Sequence, residues 1–600
     1  MKIKKVVYII RLAIKQCYLH VISYIIILLV SSFLSIIVNI INQNMVNEIS
    51  SSMEVSSIFI GLTIAYVSLF FINSSAGFLV VMGSNSFRLT VDKAFYNLFI
   101  LKTNKQNQEN FLDQKFMEKY SFINNNITKV SSLLESLFNL MFSNFAVVIS
   151  SVVFFAIYEP YLLIYLFLTI ITSAYSYKKY LTKQYELDKK QVKDQRYYDY
   201  YRYVLIDKNH AKELRIFNFK DFFYKKWESI FDNIRRDKLD LNIKKTKLQN
   251  NAALIRLVLR ILSIIFLMIG AIKSRYDIGT FTLLYGLVET STSNINAIVS
   301  NIMSNSFSDF KYIEDLYDYL MPLTKDDMSM SLDPIVDNGN LEFNKFKELE
   351  LRNVSYKYPN TNNYAIKNVS LKIKREQIIC ILGYNGSGKT TLSKLMTGSL
   401  IPQSGEVFIN GHKITGDNQI IGFRYFGISP QDYTKYSINI RDSVAIGRIE
   451  KYEDDSEVSR ACETTGLCDL INKYQDREQT ILGKEYCENG IDLSGGEWQL
   501  LSITSAYMGT PEILVLDEPS ASIDPVRELY LIKNFRKQLN GKTAVIISHR
   551  LNFARIADKI IMMKDGEVIE EGIHSELLSK NGYYAEIFRK QKDLYMEEII

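Results

Sequence analysis

The sequence predicts two fused halves: an α-helical domain with six membrane spans, and an α/β domain built around a parallel sheet. Three observations carry that prediction. Apolar runs long enough to cross a bilayer crowd the first half of the 600 residues. After Met321-Pro322 the chain turns polar in "LTKDDMSMSLDPIVDNGN", as a linker does. From residue 341 short β-branched and aromatic runs alternate with helical stretches. The expected division is 1–320 for the membrane half, 321–340 for the linker and 341–600 for the α/β half.

A spanning helix needs about 20 mostly apolar residues. Residues 21–41, 58–81, 137–158 and 161–177 supply four, with Glu159-Pro160 as the turn between the last two. Residues 257–272 are short but extend back through 251–256, and 278–303, rich in Ser, Thr and Asn, make the sixth. Lys2, Lys4, Lys5, Arg11 and Lys15 precede the first span, which places the N-terminus in the cytosol of a multi-pass cell-membrane protein. An even number of spans returns the α/β half to the same side. Lys273 and Arg275, in the last outer loop, depart from this charge rule. The opening "MKIKKVVYIIRLAIKQ" begins like a signal peptide, but no small-residue cleavage site follows. It is expected as an amphipathic helix lying on the inner membrane face.

Composition narrows the function. The net charge of +6 is small and spread along the chain, so no nucleic-acid partner is expected. Five cysteines form an odd set with no C-x-x-C pair, so a disulfide framework or zinc site is not expected. Glu289 is the single acid in "TFTLLYGLVETSTSNI". Setting it against lipid would cost about 2.5–3.5 kcal/mol, so it should meet water or a polar partner, and it is the residue expected to hold a cationic substrate.

The α/β half carries the chemistry. "IICILGYNGSGKTTL" is a buried strand, a glycine loop and a helix start, fitting G-x-x-x-x-G-K-[ST] with Gly383, Gly388, Lys389 and Thr390. Such a loop cradles phosphates on backbone N–H groups. Gly383, Asn385, Gly386, Ser387, Gly388, Lys389, Thr390 and Thr391 are expected to hold ATP, with Lys389 on the β- and γ-phosphates and the Thr390 hydroxyl on Mg²⁺. "EILVLDEPS" ends a second buried strand in two acids. Asp517 should hold Mg²⁺ through water, and Glu518 should act as general base on the attacking water. "LSGGEWQ" presents a second set of backbone donors at the helix start formed by Ser494, Gly495 and Gly496. One ATP needs one triphosphate cradle. If two copies face head-to-tail, this helix start caps the γ-phosphate held by the partner.

"LSGGEWQ", with "VSYKYP", "ISPQD", "LVLDEPS", "SASID" and "IISHR" in order, resembles the motif set of ATP-binding cassette (ABC) transporters of the exporter type, with membrane and nucleotide domains fused. The resemblance implies that Tyr358 stacks on adenine and that Gln431 senses the γ-phosphate, joins the Mg²⁺ site and contacts the membrane half. It implies further that His549 bonds the γ-phosphate and that Asp524 lies at the dimer seam. Glu497 stands where the motif usually has Gln, and Leu500 and Ser505 where arginines are usual. "LGKEYCENGIDLSGGEWQ" and "KNHAKELRIFNFKDFFYKKW" look like exporters of nisin-type lantibiotics. No Cys–His protease arrangement precedes the first span, so a leader peptide would be cut elsewhere.

The function expected is ATP-driven export of a peptide by alternating access, in a homodimer or with a related half-transporter. Short coupling helices near residues 110–125 and 208–218 would seat on the nucleotide domains, one of them near Gln431. The alternatives are lipid or drug export by the same architecture, an ATP-gated sensor or pore, and a soluble P-loop ATPase acting on nucleic acid.

Overall fold

The computed structural model describes residues 2–51, 57–104, 106, 108–304, 306–321, 345–414, 422–485, 487–520 and 541–597. They form two compact units: Met1–Lys105 with Lys119–Asp333, and Gln106–Glu118 with Pro334–Ile600.

Up to residue 320 the described residues are mainly helical: α1 (Lys2–Gln16), α2 (Tyr18–Ser51), α3 (Ser57–Asn104), α4 (Gln114–Asn124), α5 (Lys129–Phe138), α6 (Phe145–Tyr158), α7 (Leu162–Ile206), α8 (Lys208–Ile216), α9 (Lys220–Ile272), α10 (Ile278–Ser304) and α11 (Ser306–Leu320). Among the described residues four stretches are long and apolar enough to cross a membrane: Tyr18–Ser51, Ser57–Asn104, Lys129–Tyr158 and Lys220–Ile272. The expected fourth span is the shorter apolar stretch Leu162–Lys178 at the head of α7. The expected sixth is α10, continuous over 27 residues but not among the four.

The polar residues of α10 have partners on other helices. Gln43 Nε2 donates to Thr280 Oγ1 at 2.9 Å, the Gly279 N–H donates to Asn47 Oδ1 at 2.6 Å, and Ser173 Oγ donates to Asn296 Oδ1 at 2.7 Å. Interhelical bonds of this kind let a polar helix sit in a bundle. Its apolar stripe, Leu283, Leu284, Leu287, Val288, Ile295 and Val299, is buried with Phe155, Leu166 and Leu267.

The helix α1 packs in part on protein: Ile9, Leu12 and Ala13 are buried, Lys5 Nζ bonds Asp318 at 2.7 Å, and Tyr8 meets Tyr317 edge-to-face, while Val7 and Ile14 stay exposed. The exception to the charge rule has a partner as well. Arg275 lies 3.8 Å from the buried carboxylate of Glu159, which a one-sided charge count cannot foresee.

The second unit holds two sheets. An antiparallel one runs in the order β2-β1-β4-β5, with β1 spanning Glu348–Tyr356, β2 Ile366–Lys374, β4 Ser404–Ile409 and β5 His412–Lys413. The larger runs β10-β9-β3-β8-β7-β6, from β3 (Ile378–Leu382), β6 (Phe426–Ser429), β7 (Ile513–Asp517), β8 (Thr543–Ser548), β9 (Lys559–Lys564) and β10 (Glu567–Gly572). Its β9, β3, β8, β7 and β6 are parallel, and every residue of β3, β7 and β8 is buried, as a sheet covered on both faces requires. The expected coupling segments are both helical. The first begins within this unit, where Asn360 Nδ2, just past β1, donates to Asp113 Oδ1 at 3.5 Å. The second is α8, and Ile216 and Phe217 at its end are exposed.

Candidate functional site: a nucleotide cradle at the strand ends

Strands β3, β8, β7 and β6 are adjacent and parallel, with Leu382 beside Ser548, Asp517 beside Ile547 and Ser429 beside Leu516. Their carboxyl ends therefore share one edge, where α/β sheets bind ligands. The glycine loop leaves β3 there, His549 leaves β8, Asp517 and Glu518 end β7, and Gln431 follows β6. Segments far apart in sequence become one site by strand order alone.

The loop runs from Gly383 into α12 (Lys389–Met396). Gly386 and Gly388 have φ of +82° and +100°, which L side chains rarely adopt. A Cβ on Gly388 would also stand 2.5 Å from the Ala365 carbonyl oxygen. Gly388→Ala should therefore weaken nucleotide binding about tenfold or more, read by titration with a fluorescent ATP analogue. Unchanged affinity would show that the cradle tolerates a different backbone.

Lys389 is buried and folds back on the loop, its Nζ donating to the carbonyls of Gly383 at 2.8 Å and Tyr384 at 2.9 Å. Burial pushes its ammonium pKa down, while Glu518 and Asp517 oppose that shift. Asp517 is the mirror case. Burial pushes its carboxyl up to about 6 against a hydrogen bond with Thr390, and one of its oxygens, Oδ1, lies buried without a partner. Ser387 Oγ is likewise buried and unpartnered. A desolvated cation, a desolvated acid and two orphaned oxygens all gain from a phosphate and a divalent cation. The residues present therefore fit Mg²⁺ with a nucleoside triphosphate.

Around this pair the other expected residues gather. Glu518 has φ of +51°, a left-handed conformation that costs a non-glycine residue about 1–3 kcal/mol. Its backbone is held from both sides: its N–H donates to the Ile547 carbonyl at 2.8 Å, and Gln499 Nε2 donates to its carbonyl at 2.6 Å. The carboxylate accepts from Gln431 Nε2 at 3.3 Å and lies 3.1 Å from His549 Nδ1. Tyr358, half-buried, meets the Thr391 hydroxyl at 3.1 Å and stacks edge-on to Tyr356. Asn385 is exposed on the loop. Gln499 is a close partner that the sequence did not point to. Its signal is its place five residues past Ser494, in the helix Gly495–Tyr507, from which its amide reaches the Glu518 carbonyl.

Ser494 caps the helix Gly495–Tyr507 in a reciprocal box: its hydroxyl accepts from the Glu497 N–H at 3.4 Å, and its own N–H donates to Glu497 Oε2 at 3.0 Å. Lys473 Nζ lies 3.1 Å from the other Glu497 oxygen. Burial would raise the Glu497 carboxyl, but these bonds outweigh it and hold the pKa below the usual range. The departures from the motif have homes too. Leu500 packs on the apolar cluster, and Gly447 closes so tightly on Ser505 that a Cβ there would stand 2.0 Å from the serine carbonyl.

Ser494 and Gly495 are exposed and Gly496 half-buried. Their hydrogen bonds run to Glu497 and, at Gly495, from Tyr433. Among the described residues none joins them to the cradle. Asp524 lies outside the described residues. Glu289 is in the membrane unit, 3.7 Å from Arg260.

Comparisons with known proteins agree with this geometry. The ABC transporter family profile matches residues 366–521. The subtilin transport ATP-binding protein SpaT of Bacillus subtilis is 24% identical over 92% of this chain and 88% of that protein. The nisin transport ATP-binding protein NisT of Lactococcus lactis subsp. lactis is 27% identical over 66% of this chain and 64% of its own length. An ATP-dependent lipid A-core flippase of Pectobacterium atrosepticum is 34% identical over 42% of this chain and 43% of that one. A bacterial Atm1-family ABC exporter with ATP bound shares the fold, with a TM-score of 0.77 over 95% of this chain and 98% of that one at 18% identity. The cradle and its strand-end partners thus lie in a region that the ABC transporter family profile matches, and over nearly its whole length the chain resembles ABC exporters that carry membrane and nucleotide-binding parts on one polypeptide.

Proposed function

We propose that the chain exports a peptide across the cell membrane by alternating access, driven by ATP hydrolysis in a head-to-tail pair of identical copies with their cassettes in the cytosol. One observation carries this: Ser494 and Gly495 stand exposed with Gly496 half-buried beside them and, among the described residues, no bond to the cradle, where the other described residues of the nucleotide set gather. A donor set aimed outward at a helix N-terminus serves an anion brought by another molecule.

On ATP binding Lys389 leaves the loop carbonyls for the β- and γ-phosphates, and Tyr358 takes the adenine. Thr390, Asp517 and Gln431 would hold Mg²⁺, which supplies charge neutralisation on the phosphate oxygens. Glu518, oriented by its backbone clamp and by His549 and Gln431, takes a proton from the attacking water. Ser494, Gly495 and Gly496 of the second copy close over the γ-phosphate, so the pair closes with ATP and opens after hydrolysis. Asp524 is assigned to that seam. The helical segments near residues 110–125 and 208–218, with α4 in the first and α8 in the second, pass closure to the membrane domain.

Peptide cargo is favoured over lipid by how far the likeness extends. The flippase matches over less than half of this chain, the extent of a cassette common to many transporters, whereas the subtilin protein matches over 92% of it, membrane helices included. In proteoliposomes with outward-facing cassettes, ATP should drive accumulation of a labelled lantibiotic precursor against its gradient. ATP-dependent transbilayer movement of a labelled lipid without peptide uptake would replace the cargo, and a conductance without accumulation would replace transport with gating.

A further inference from the structure

A seam of polar side chains runs between α7, α9 and α10, inside segments that are otherwise apolar. α9 supplies Arg256 and Arg260, four residues apart on one helix face. Arg256 Nη1 donates to Ser173 Oγ at 3.4 Å, and Ser173 bonds Asn296 at 2.7 Å. Arg260 Nη1 lies 3.7 Å from Glu289 Oε1, and Tyr165 bonds Thr292 one turn further along α10. Along the helix axes Arg256, Arg260 and Glu289 stand roughly 24, 18 and 17 Å from the ends of α9 and α10 at Ile272 and Ile278, at about 1.5 Å per residue. A bilayer core is about 30 Å thick, so all three lie within it.

The charges of the seam do not balance. Glu289 answers Arg260, and among the described residues no carboxylate lies within salt-bridge distance of Arg256. Both arginines reach sideways to α7 and α10 instead of along α9 to a membrane surface. The Arg260 and Glu289 side chains are 40% and 61% exposed, so the pair opens outward from the bundle. A net positive, open, arginine-bearing seam in a low-dielectric wall attracts an anion, and the guanidinium fork matches a carboxylate with two parallel hydrogen bonds.

We infer that Arg256, Arg260 and Glu289 form a cargo-selecting site that takes a carboxylate-bearing segment of the exported peptide, with Glu289 as the resident counter-ion that such a segment displaces from Arg260. This rests on the peptide-export function proposed above. It reverses the expectation that Glu289 itself holds a cationic substrate, because that carboxylate already faces an arginine.

The test uses the full-length protein in phosphatidylcholine liposomes with two dansylated hexapeptides, one alternating leucine and glutamate, the other leucine and lysine. Half-maximal stimulation of ATPase should need about tenfold less of the acidic peptide. Arg256→Gln and Arg260→Gln should each raise that concentration about tenfold, the loss of one charge-assisted hydrogen bond. Glu289→Gln should lower it. Arg260→Lys, which keeps the charge and loses the fork, should fall between wild type and Arg260→Gln, and separates a binding role from misfolding. Equal responses of wild type and both arginine variants to the acidic peptide would overturn the site. So would a dependence on added anionic phosphatidylglycerol, lost in those variants, with peptide response unchanged; the arginines would then hold lipid headgroups. ATP-driven uptake of neither peptide by wild type would instead count against peptide export itself.

Discussion

Glu518→Gln should stop ATP turnover while leaving nucleotide binding intact, with kcat falling roughly 10²–10⁴-fold, the range for loss of a general base. The substitution is close to isosteric, and the clamp on this residue acts through its backbone, from Ile547 and Gln499. The side-chain amide still bridges Gln431 and His549, so geometry is kept and only the capacity to accept a proton is lost. Steady-state phosphate release and equilibrium binding of a fluorescent ATP analogue separate the two effects. Turnover near wild type would mean that another group takes the proton.

Ser494→Arg should be nearly as damaging, lowering turnover by about 10²-fold, as when a preorganised donor to a developing charge is removed. Losing the cap costs the helix only about 1 kcal/mol. Trp498, Leu501, Ile503 and Ala506 bury its other face, so the cassette should fold. The variant should still bind ATP in its own cradle, because among the described residues none of the cradle's hydrogen bonds comes from Ser494. Unimpaired hydrolysis would reduce the helix start to a structural cap, the role its bond with Glu497 already fills.

Much of the cassette was legible in the sequence because its signals are local. A glycine loop between a buried strand and a helix has few other uses, and together with that loop two adjacent acids at a strand end point to a cation ligand and a base. The contact of Glu518 with His549 and Gln431 was not legible from spacing, since strand order places β8 and β6 on either side of β7. In the membrane domain hydropathy found 21–41, 58–81 and 137–158 inside membrane-length apolar helices, whereas 161–177 lies in a shorter apolar stretch and 257–272, read as short, ends a helix long enough to span. Hydropathy averages over all faces of a helix, while the Thr280, Thr292 and Asn296 side chains are satisfied by Gln43, Tyr165 and Ser173 on neighbours that only folding brings near. The pairing of Glu289 with Arg260 and of Arg275 with Glu159 was hidden for the same reason.

The central claim is that each ATP is gripped by two chains, and mixing two inactive variants tests it most directly. In a two-fold pair of Glu518→Gln with Ser494→Arg, one site gathers both lesions and the other is built wholly from native residues. Random pairing at equal amounts should therefore restore about a quarter of the native sites, and ATPase activity with them. If each chain's Ser494 serves its own cradle, every site in the mixture carries a lesion, and activity stays at the level of the separate variants.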